Sequence, residues 1–580
     1  ETGFVPVNTV NSAVIPVFGL QRLEVLRDGA SAIYGADAVA GVVNTVMKDN
    51  YDGFSIRGRY TSYDNIPRDD YSVTIEWGDL FNEGRTAVGV FANYYHRDRV
   101  SSNDDPKWAD ADFNRFLDED DPFYGEFDRT SANSSFGQYE IWPRMSGDEY
   151  GLVEAGITDT RGEFDTFPTG DPRCEYAINE TTCGRVDRSG TYRYNMNENR
   201  DLISELDRFN LYAYANHEFD SGVEVYSEFH YYQSETNMVR QPSASFSSVE
   251  LLMAKESYYN PLGPCGSPNR LPDELIGTGV PCEGLNIFLD NYRYTEAPRV
   301  VDNDGEVFRF LLGFRGTFGT EWDWDSAVIY SEAEKNEVTH NRISNTLMQE
   351  ALNDPTAAGY DPFAGGMGAN IDRALVDVRR DSKTDLKLID FKLSNAMLFN
   401  VWGGPDGFLA GVEYREVSFK DDRDPRLDGT IVFTNYRANT YPFVSDVVNS
   451  SPTPDNRGSR DVTSIFTEFA IPLHETFDLQ LALRYEDFSD VGSTTVPKIA
   501  FGWRPTEWVM LRGSWSEAFR APNLVTVNES LVVRNNPRTD AVCDYAERNS
   551  THPDAGGLDC SNTTQRRASG SQDLKPEKSD

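Results

Sequence analysis

Three pairs of cysteines are the residues whose type and spacing most directly suggest covalent chemistry: Cys174 with Cys183, Cys265 with Cys282, and Cys543 with Cys560. None forms a CxxC, and none has a histidine pair at zinc spacing, so metal ligation is a poor fit. Their even number and local grouping within polar segments predict three loop disulfides formed in an oxidising compartment. Closing a loop of ~15 residues stabilises it by roughly 3 kcal/mol in the chain-entropy treatment. The six histidines (His96, His217, His230, His340, His474 and His552) are scattered, with no HExxH and no GxSxG partner. No catalytic residue is therefore predicted, and no cofactor or metal site. The acidic run Asp118-Glu119-Asp120-Asp121 lacks EF-hand spacing and reads as solvated charge, and Asp302-Asn303-Asp304-Gly305 reads as a turn. One polar stretch interleaves aromatics with arginine: Trp108, Arg115, Tyr124, Tyr139, Trp142, Arg144, Tyr192, Arg193 and Tyr194. Such a set can grip a ligand through stacking and cation–π contacts. The plainer reading, that these loops pack on themselves, stands beside it.

These residues lie in a chain of 580 residues with 94 acidic and 54 basic side chains, a net charge of −40. Nucleic acid is a poor partner for such a surface, because phosphate binding needs clustered Lys and Arg. The acidity fits solubility of long exposed loops, or attraction of cationic ligands or divalent ions. Mean hydropathy is −0.55, and no apolar run is long enough for a transmembrane helix. A transmembrane β-barrel escapes that test, since it hides its apolar face in every second residue.

Period-2 alternation dominates from Phe54 onward. Phe477, Leu479, Leu481, Leu483 and Tyr485 share one face, while Asp478, Gln480, Ala482, Arg484 and Glu486 share the other. Phe308, Phe310, Leu312, Phe314 and Phe318 likewise oppose Arg309, Arg315 and Thr317. This predicts strands near 54–63, 71–79, 85–97, 205–219, 222–238, 302–318, 321–338, 386–398, 407–420, 460–471, 476–488, 494–503 and 507–518, with a fourteenth beginning near Glu577. A soluble sandwich or propeller alternates too. The connections separate the two. Short turns, such as Asp220-Ser221-Gly222 and Gly319-Thr320, follow the even-numbered strands. Long segments at 98–204, 239–301, 339–385, 421–459 and 519–576 follow most odd-numbered ones. Short turns on one rim and long loops on the other characterise outer-membrane barrels, and soluble domains rarely tolerate such loops. All three cysteine pairs fall on the long-loop rim, which would be extracellular.

Residues 1–49 break the alternation. Gln21-Arg22-Leu23-Glu24-Val25-Leu26-Arg27-Asp28-Gly29 leads through Ser31–Tyr34 and Gly35 to Gly41-Val42-Val43-Asn44. The pattern is a strand, a glycine turn, a short helix, a glycine bend and a second strand, with Gly29, Gly35 and Gly41 supplying the turns. This run resembles the end of the plug domain of TonB-dependent receptors, with Asp28 as an insertion. Val496-Pro497-Lys498-Ile499, Ser516-Glu517-Ala518-Phe519-Arg520-Ala521-Pro522-Asn523-Leu524 and Asp573-Leu574-Lys575-Pro576-Glu577 also resemble the family.

The resemblance implies an all-β, antiparallel transmembrane barrel of 22 strands in the full protein, about 13–14 of them here, with a small α+β plug remnant in its lumen. Residues 1–49 would be the C-terminal part of the plug and 50–580 the N-terminal part of the barrel. The chain would be a fragment, without signal peptide or TonB box, whose remaining strands follow Asp580. The function implied is active uptake of a scarce nutrient, most often an iron–siderophore complex, through the bacterial outer membrane. The partners implied are TonB with its inner-membrane energising complex, outer-membrane lipid and lipopolysaccharide, and an extracellular small-molecule ligand. Carbohydrate or cobalamin uptake, a passive porin or adhesin barrel, and a hydrolase barrel are the rivals. Arg22, Glu24 and Arg27 are expected to pair with the barrel wall and lock the plug.

Overall fold

The computed structural model describes residues 11–579 apart from 28–29, 37, 40, 187–190, 246–248, 250, 320 and 552–559. Gly29, Thr320 and His552 therefore lie outside the described residues. Two strands of the N-terminal segment, β1 (Leu20–Leu26) and β2 (Val42–Met47), pair antiparallel around the short helix α1 (Ser31–Tyr34). Gly35 ends α1 at φ +86°, and at Gly41 (φ +147°) an added Cβ would sit 2.4 Å from the Leu26 carbonyl oxygen. Both bends therefore require glycine.

The rest of the chain is organised by one 13-stranded antiparallel sheet in meander order. Its strands are β3 (Gly53–Ser62), β4 (Asp69–Phe81), β5 (Thr86–Arg97), β6 (Glu205–Glu218), β7 (Glu224–Arg240), β8 (Arg299–Phe318) and β9 (Trp322–Ile343). They continue as β10 (Leu375–Asn395), β11 (Gly407–Arg423), β12 (Asn456–His474), β13 (Phe477–Phe488), β14 (Gly492–Thr506) and β15 (Val509–Ser516). Every predicted strand is present, and Glu577–Ser579 pairs with Ala518–Arg520 where a further strand was expected to begin. Gly222 at φ +77° and Gly319 at φ +67° hold two of the tight turns.

Exposure along the sheet is the reverse of a soluble protein's. On β13, Leu483 and Tyr485 are 46% and 41% exposed, while Arg484 and Glu486 are 2% and 0% exposed. The same inversion runs across β3 to β15: Phe54, Ile56, Ile389, Phe391, Ile499 and Phe501 all face outward. An apolar outer face is stable only against lipid, and this excludes the sandwich and propeller readings. Trp402 and Trp508, 92% and 86% exposed, stand on the short-turn rim, where interfacial aromatics belong.

Two expectations are corrected. First, β8 to β12 run further toward the long-loop rim than predicted; β10 begins at Leu375, not near 386, and Asp302–Gly305 is paired strand rather than turn. Beyond the membrane both faces meet water, so the alternation that reveals a strand disappears there. Charge ladders replace it: Lys383 reaches Glu332 and Glu334, both at 2.8 Å, and Arg380 reaches Asp421 at 2.8 Å.

Second, the long segments are not structureless. Parts of 98–204 and 241–298 build a six-stranded sheet from Leu251–Met253, Asn286–Leu289, Gln138–Trp142, Glu163–Pro168, Thr182–Arg185 and Tyr176–Ala177. A helix, Asn345–Leu352, packs against it through Met348, Ala351 and Leu352, spaced three and four residues apart. Ser344 caps that helix by accepting from Leu347 N at 3.2 Å. Ile141, Phe164, Leu251, Ile287, Tyr292 and Met348 are all at most 2% exposed in one continuous apolar core. We call this body the cap. All three predicted disulfides form; Cys174–Cys183 and Cys265–Cys282 lie in the cap, and Cys543–Cys560 staples the hairpin of Val532–Thr539 and Ser561–Ala568.

Candidate functional site

The N-terminal segment sits against the polar face of the sheet, and its contacts define a seat. Tyr214 on β6 accepts the Tyr51 backbone N–H at 2.7 Å, Asn216 donates to Asp49 O at 3.0 Å, and Asn210 donates to Val14 O at 3.3 Å. Lys48 reaches the buried Glu76 of β4 at 3.0 Å and lies over the Phe91 ring. On the far side of the seat, Arg484 donates to the Ile33 carbonyl at the end of α1 at 3.2 Å. Glu486 holds Arg484 at 2.7 Å and accepts from Ser464 at 3.0 Å, and Glu413 lies 3.8 Å from the same Arg484 guanidinium. A cation at a helix C-terminus meets the negative end of its peptide dipoles. Gly35 permits this approach, because an added Cβ there would stand 2.8 Å from Glu486 Oε1.

The expected lock residues behave differently. Arg22 donates to Glu24 at 2.6 Å and Asn44 donates to the same carboxylate at 3.1 Å, so the pair is internal to the β1–β2 hairpin. Residues 21–27 are exposed along their whole length, Arg27 included. The described barrel strands cover α1 rather than this hairpin, so the charged contacts with the wall seen here are Lys48 with Glu76 and the Arg484–Glu486 pair beneath α1. The sequence did carry a signal for Arg484 and Glu486: they are the charges at inward positions on β13.

Two recesses open on the lumen side. One, of about 960 Å³, lies between Ala36 and Val39 and a wall formed by Arg415, Arg460, Phe488 and Phe519. The other, of about 450 Å³, is lined by Tyr232, Ser234, Thr236, Asn303, Ser382 and Thr384 together with the charged Glu306, Glu334, Lys335 and Lys383. Both offer hydrogen bonds and weak apolar contact, which suits reversible binding.

The aromatic and arginine residues singled out for ligand capture fall mainly to self-packing. Tyr139 is 1% exposed, stacks on Phe164 and Phe363, and donates to Pro362 O at 3.2 Å, so no ligand can reach it without opening the core. Trp142 packs on Phe288, and Arg144 pairs with Glu140. Tyr192 meets Phe136 edge to face, Arg193 pairs with Asp128 at 2.8 Å, and Tyr194 lies under Arg293. Arg115 lies over Phe116 and donates to Lys107 O at 2.8 Å. Trp108 and Tyr124 remain 48% and 46% exposed.

His96 sits between Asp98 and Asp207, at 3.0 and 2.9 Å, and His340 between Asp302 and Asp377, at 3.0 and 2.8 Å. Both tie neighbouring strand ends together. Among the described residues no set of three or more His, Cys, Asp or Glu side chains is placed to hold a metal ion.

A family model described as TonB dependent receptor-like, beta-barrel, matches residues 256–580. The siderophore receptor PirA from Acinetobacter baumannii is similar at a TM-score of 0.50 and 13% identity, over 98% of this chain and 55% of that one. A ferric enterobactin receptor variant, PfeA from Pseudomonas aeruginosa in complex with enterobactin, aligns at 0.49 and 12%, over 98% and 56%. The siderophore receptor PirA from Pseudomonas aeruginosa aligns at 0.45 and 11%, over 97% and 58%. The chain thus spans about half the length of the solved receptors it matches, and the first of them shares its fold.

Proposed function

This chain belongs to the TonB-dependent receptor family, and from that premise we propose that it is part of an outer-membrane active transporter that captures a scarce nutrient beneath its extracellular cap and imports it by rearranging the plug. On this reading residues 1–49 are the end of the plug and 50–580 the first part of the barrel, in a bacterial outer membrane. TonB supplies the energy, and the apolar outer face lies in phospholipid and lipopolysaccharide.

The observation that carries the proposal is the seat of α1: Arg484, held by Glu486, donates to the Ile33 carbonyl from inside the wall. A buried ion pair that grips a separate segment by one hydrogen bond is strong while intact and fails in one step when that segment is pulled. That is the behaviour a force-opened channel requires.

The ligand class proposed is an iron–siderophore complex, and a solved protein of the same fold is described as a siderophore receptor. The experiment is deletion of the full-length gene, followed by growth on single iron–siderophore complexes and mass spectrometry of the ligand co-purified with the receptor. Loss of growth on one complex, reproduced by deleting TonB, is the expected result; growth independent of TonB would reject the transport mechanism. Carbohydrate is a second reading, favoured by the hydroxyl and amide groups of the recess around Tyr232, Ser234 and Thr384. Co-purified glycan in place of an iron chelate would select it.

A further inference from the structure

Where the cap meets the barrel mouth, Arg299 lies close enough to Arg240, Arg293 and Arg342 for their charges to repel, and among the described residues none of the four has a counter-charge. Arg240 closes β7 and Arg299 opens β8, and the register sets them directly opposite each other. Tyr232, Ser234 and Thr236 on β7, with Asn303 and Val307 on β8, line a lumen recess, so the same alternation turns Arg240 and Arg299 inward. Like charges directly opposite in an antiparallel pair repel.

Their surroundings are as unusual. Arg299 Nε donates to Gln241 O at 2.8 Å, and Arg293 of the cap donates Nη1 to the next carbonyl, Pro242 O, at 2.7 Å. The two guanidinium groups therefore sit on consecutive peptide oxygens. Arg293 is completed by Asn133 O and Ser131 Oγ, both at 3.0 Å, and is 5% exposed. Near the end of β9, Arg342 donates Nη2 to Val448 O at 2.8 Å and to Ser450 Oγ at 2.5 Å. Arg342 is only 8% exposed, and its buried Nε has no acceptor. Burial pushes the Arg293 guanidinium down to about 10, with the Tyr194 phenol opposing the shift and the Arg299 charge adding to it.

Every acceptor around Arg293, Arg299 and Arg342 is a carbonyl or hydroxyl oxygen, which solvates a guanidinium but does not neutralise it. Among the described residues no carboxylate forms an ion pair with any of them. Carboxylates exceed basic groups by 94 to 54 in this chain, and other rim arginines such as Arg380 and Arg423 find one. For the two buried members, Arg293 and Arg342, a cation without a counter-charge is among the costliest arrangements in a protein interior. An anion held in the fork of planar guanidinium groups removes that cost.

We propose that Arg240, Arg299 and Arg342, backed by Arg293, form an oxyanion-binding site at the floor of the cap, which takes a carboxylate or phosphate group. The group comes either from a free anion or from an acidic ligand on its way to the lumen. The site does not depend on the transport reading: anion binding to the purified receptor and nutrient uptake by cells are read separately, and either can fail alone.

The test is calorimetric titration of the detergent-solubilised full-length receptor with inorganic phosphate and with citrate, at constant ionic strength. Saturable binding is expected, weakened at least about tenfold in Arg240→Gln and in Arg299→Gln, with partial recovery in Arg299→Lys. Arg240 is exposed, so its variant keeps the fold and isolates the charge. No saturable binding of either anion, or equal affinity in both Gln variants and the unaltered receptor, overturns the proposal. A competition arm with a ferric tris-catecholate then identifies the source. Displacement of phosphate assigns the site to an acidic ligand, and undisturbed phosphate assigns it to a free anion; both outcomes require the site.

Discussion

The cap and the barrel wall use the same side chains in opposite senses. In the cap, Tyr139 and Ile141 are shut inside and the charges of Arg144 and Glu140 meet at its edge. In the wall, Leu483 and Tyr485 face out while Arg484 and Glu486 are enclosed. What differs is the medium on each side. The cap has water all round and gathers its apolar groups into one core. The wall has lipid outside, so its apolar groups need no core, and its polar groups collect around the segment that fills the lumen. The lesson is that burial alone does not identify a core; the chemistry of what is buried tells which solvent lies outside.

The largest expected effects test each region's interior. Glu486→Ala leaves the enclosed Arg484 with only the more distant Glu413, at 3.8 Å, and should loosen the seat of α1 by about 3 kcal/mol. Protease release of the N-terminal segment and entry of a large antibiotic would measure it. Glu24→Ala should have the smaller effect, because among the described residues Glu24 pairs within the β1–β2 hairpin; equal leakage from both variants would break the comparison. In the cap, Tyr139→Ala should cost roughly 3–4 kcal/mol and melt the six-stranded sheet, whereas Tyr414→Ala on the outer face should cost under about 1 kcal/mol in detergent. Denaturant titration followed by disulfide accessibility would show it.

A solvent-specific test is next in size. Leu483→Arg should cost about 2–4 kcal/mol in a bilayer and much less in detergent, since only hydrocarbon penalises a charge on that face. Folding yields into liposomes and into micelles give the two values. A large penalty in both media would mean that Leu483 packs against protein.

The smallest effect is a pH dependence confined to the cap. Burial raises the Asp361 carboxyl to about 6, against the opposing Phe363 N–H at 2.9 Å. A carboxyl raised above its unfolded value of 3.8 contributes stability that is full below that value and lost as pH rises through about 6. The cap should therefore lose on the order of 1–2 kcal/mol between pH 4 and pH 7, after allowance for partial solvent screening. Thermal melts should show a flat profile in Asp361→Asn; a slope that survives the substitution would point to another group.

Much of the wall was legible before folding, because lipid on one side and polar filling on the other write period 2 directly into Phe477–Tyr485 and Phe308–Phe318. Where both faces are wet that code vanishes, so β10 begins at Leu375, well before the expected 386, while β8 begins at Arg299, close to the expected 302. The candidate site was legible only in part. Gly35 and Gly41 announce their bends and the cysteine pairs their bridges, because each is a local requirement of backbone or thiol. The aromatics and arginines of the loops could not be sorted into packing and capture, since Tyr139 and Tyr124 look alike until one is enclosed.

By itself, the sequence determined the inverted wall, its short and long rims, the plug-like start and the three covalent staples, all of which follow from neighbours a few residues apart. Only the tertiary structure decided the rest. It drew segments as distant as 138–142, 286–289 and 345–352 into one cap, gave α1 its contact with Arg484, and set Arg240 opposite Arg299 with no acid paired to either among the described residues. Those outcomes depend on which remote surfaces exclude water together, and no short-range pattern encodes that.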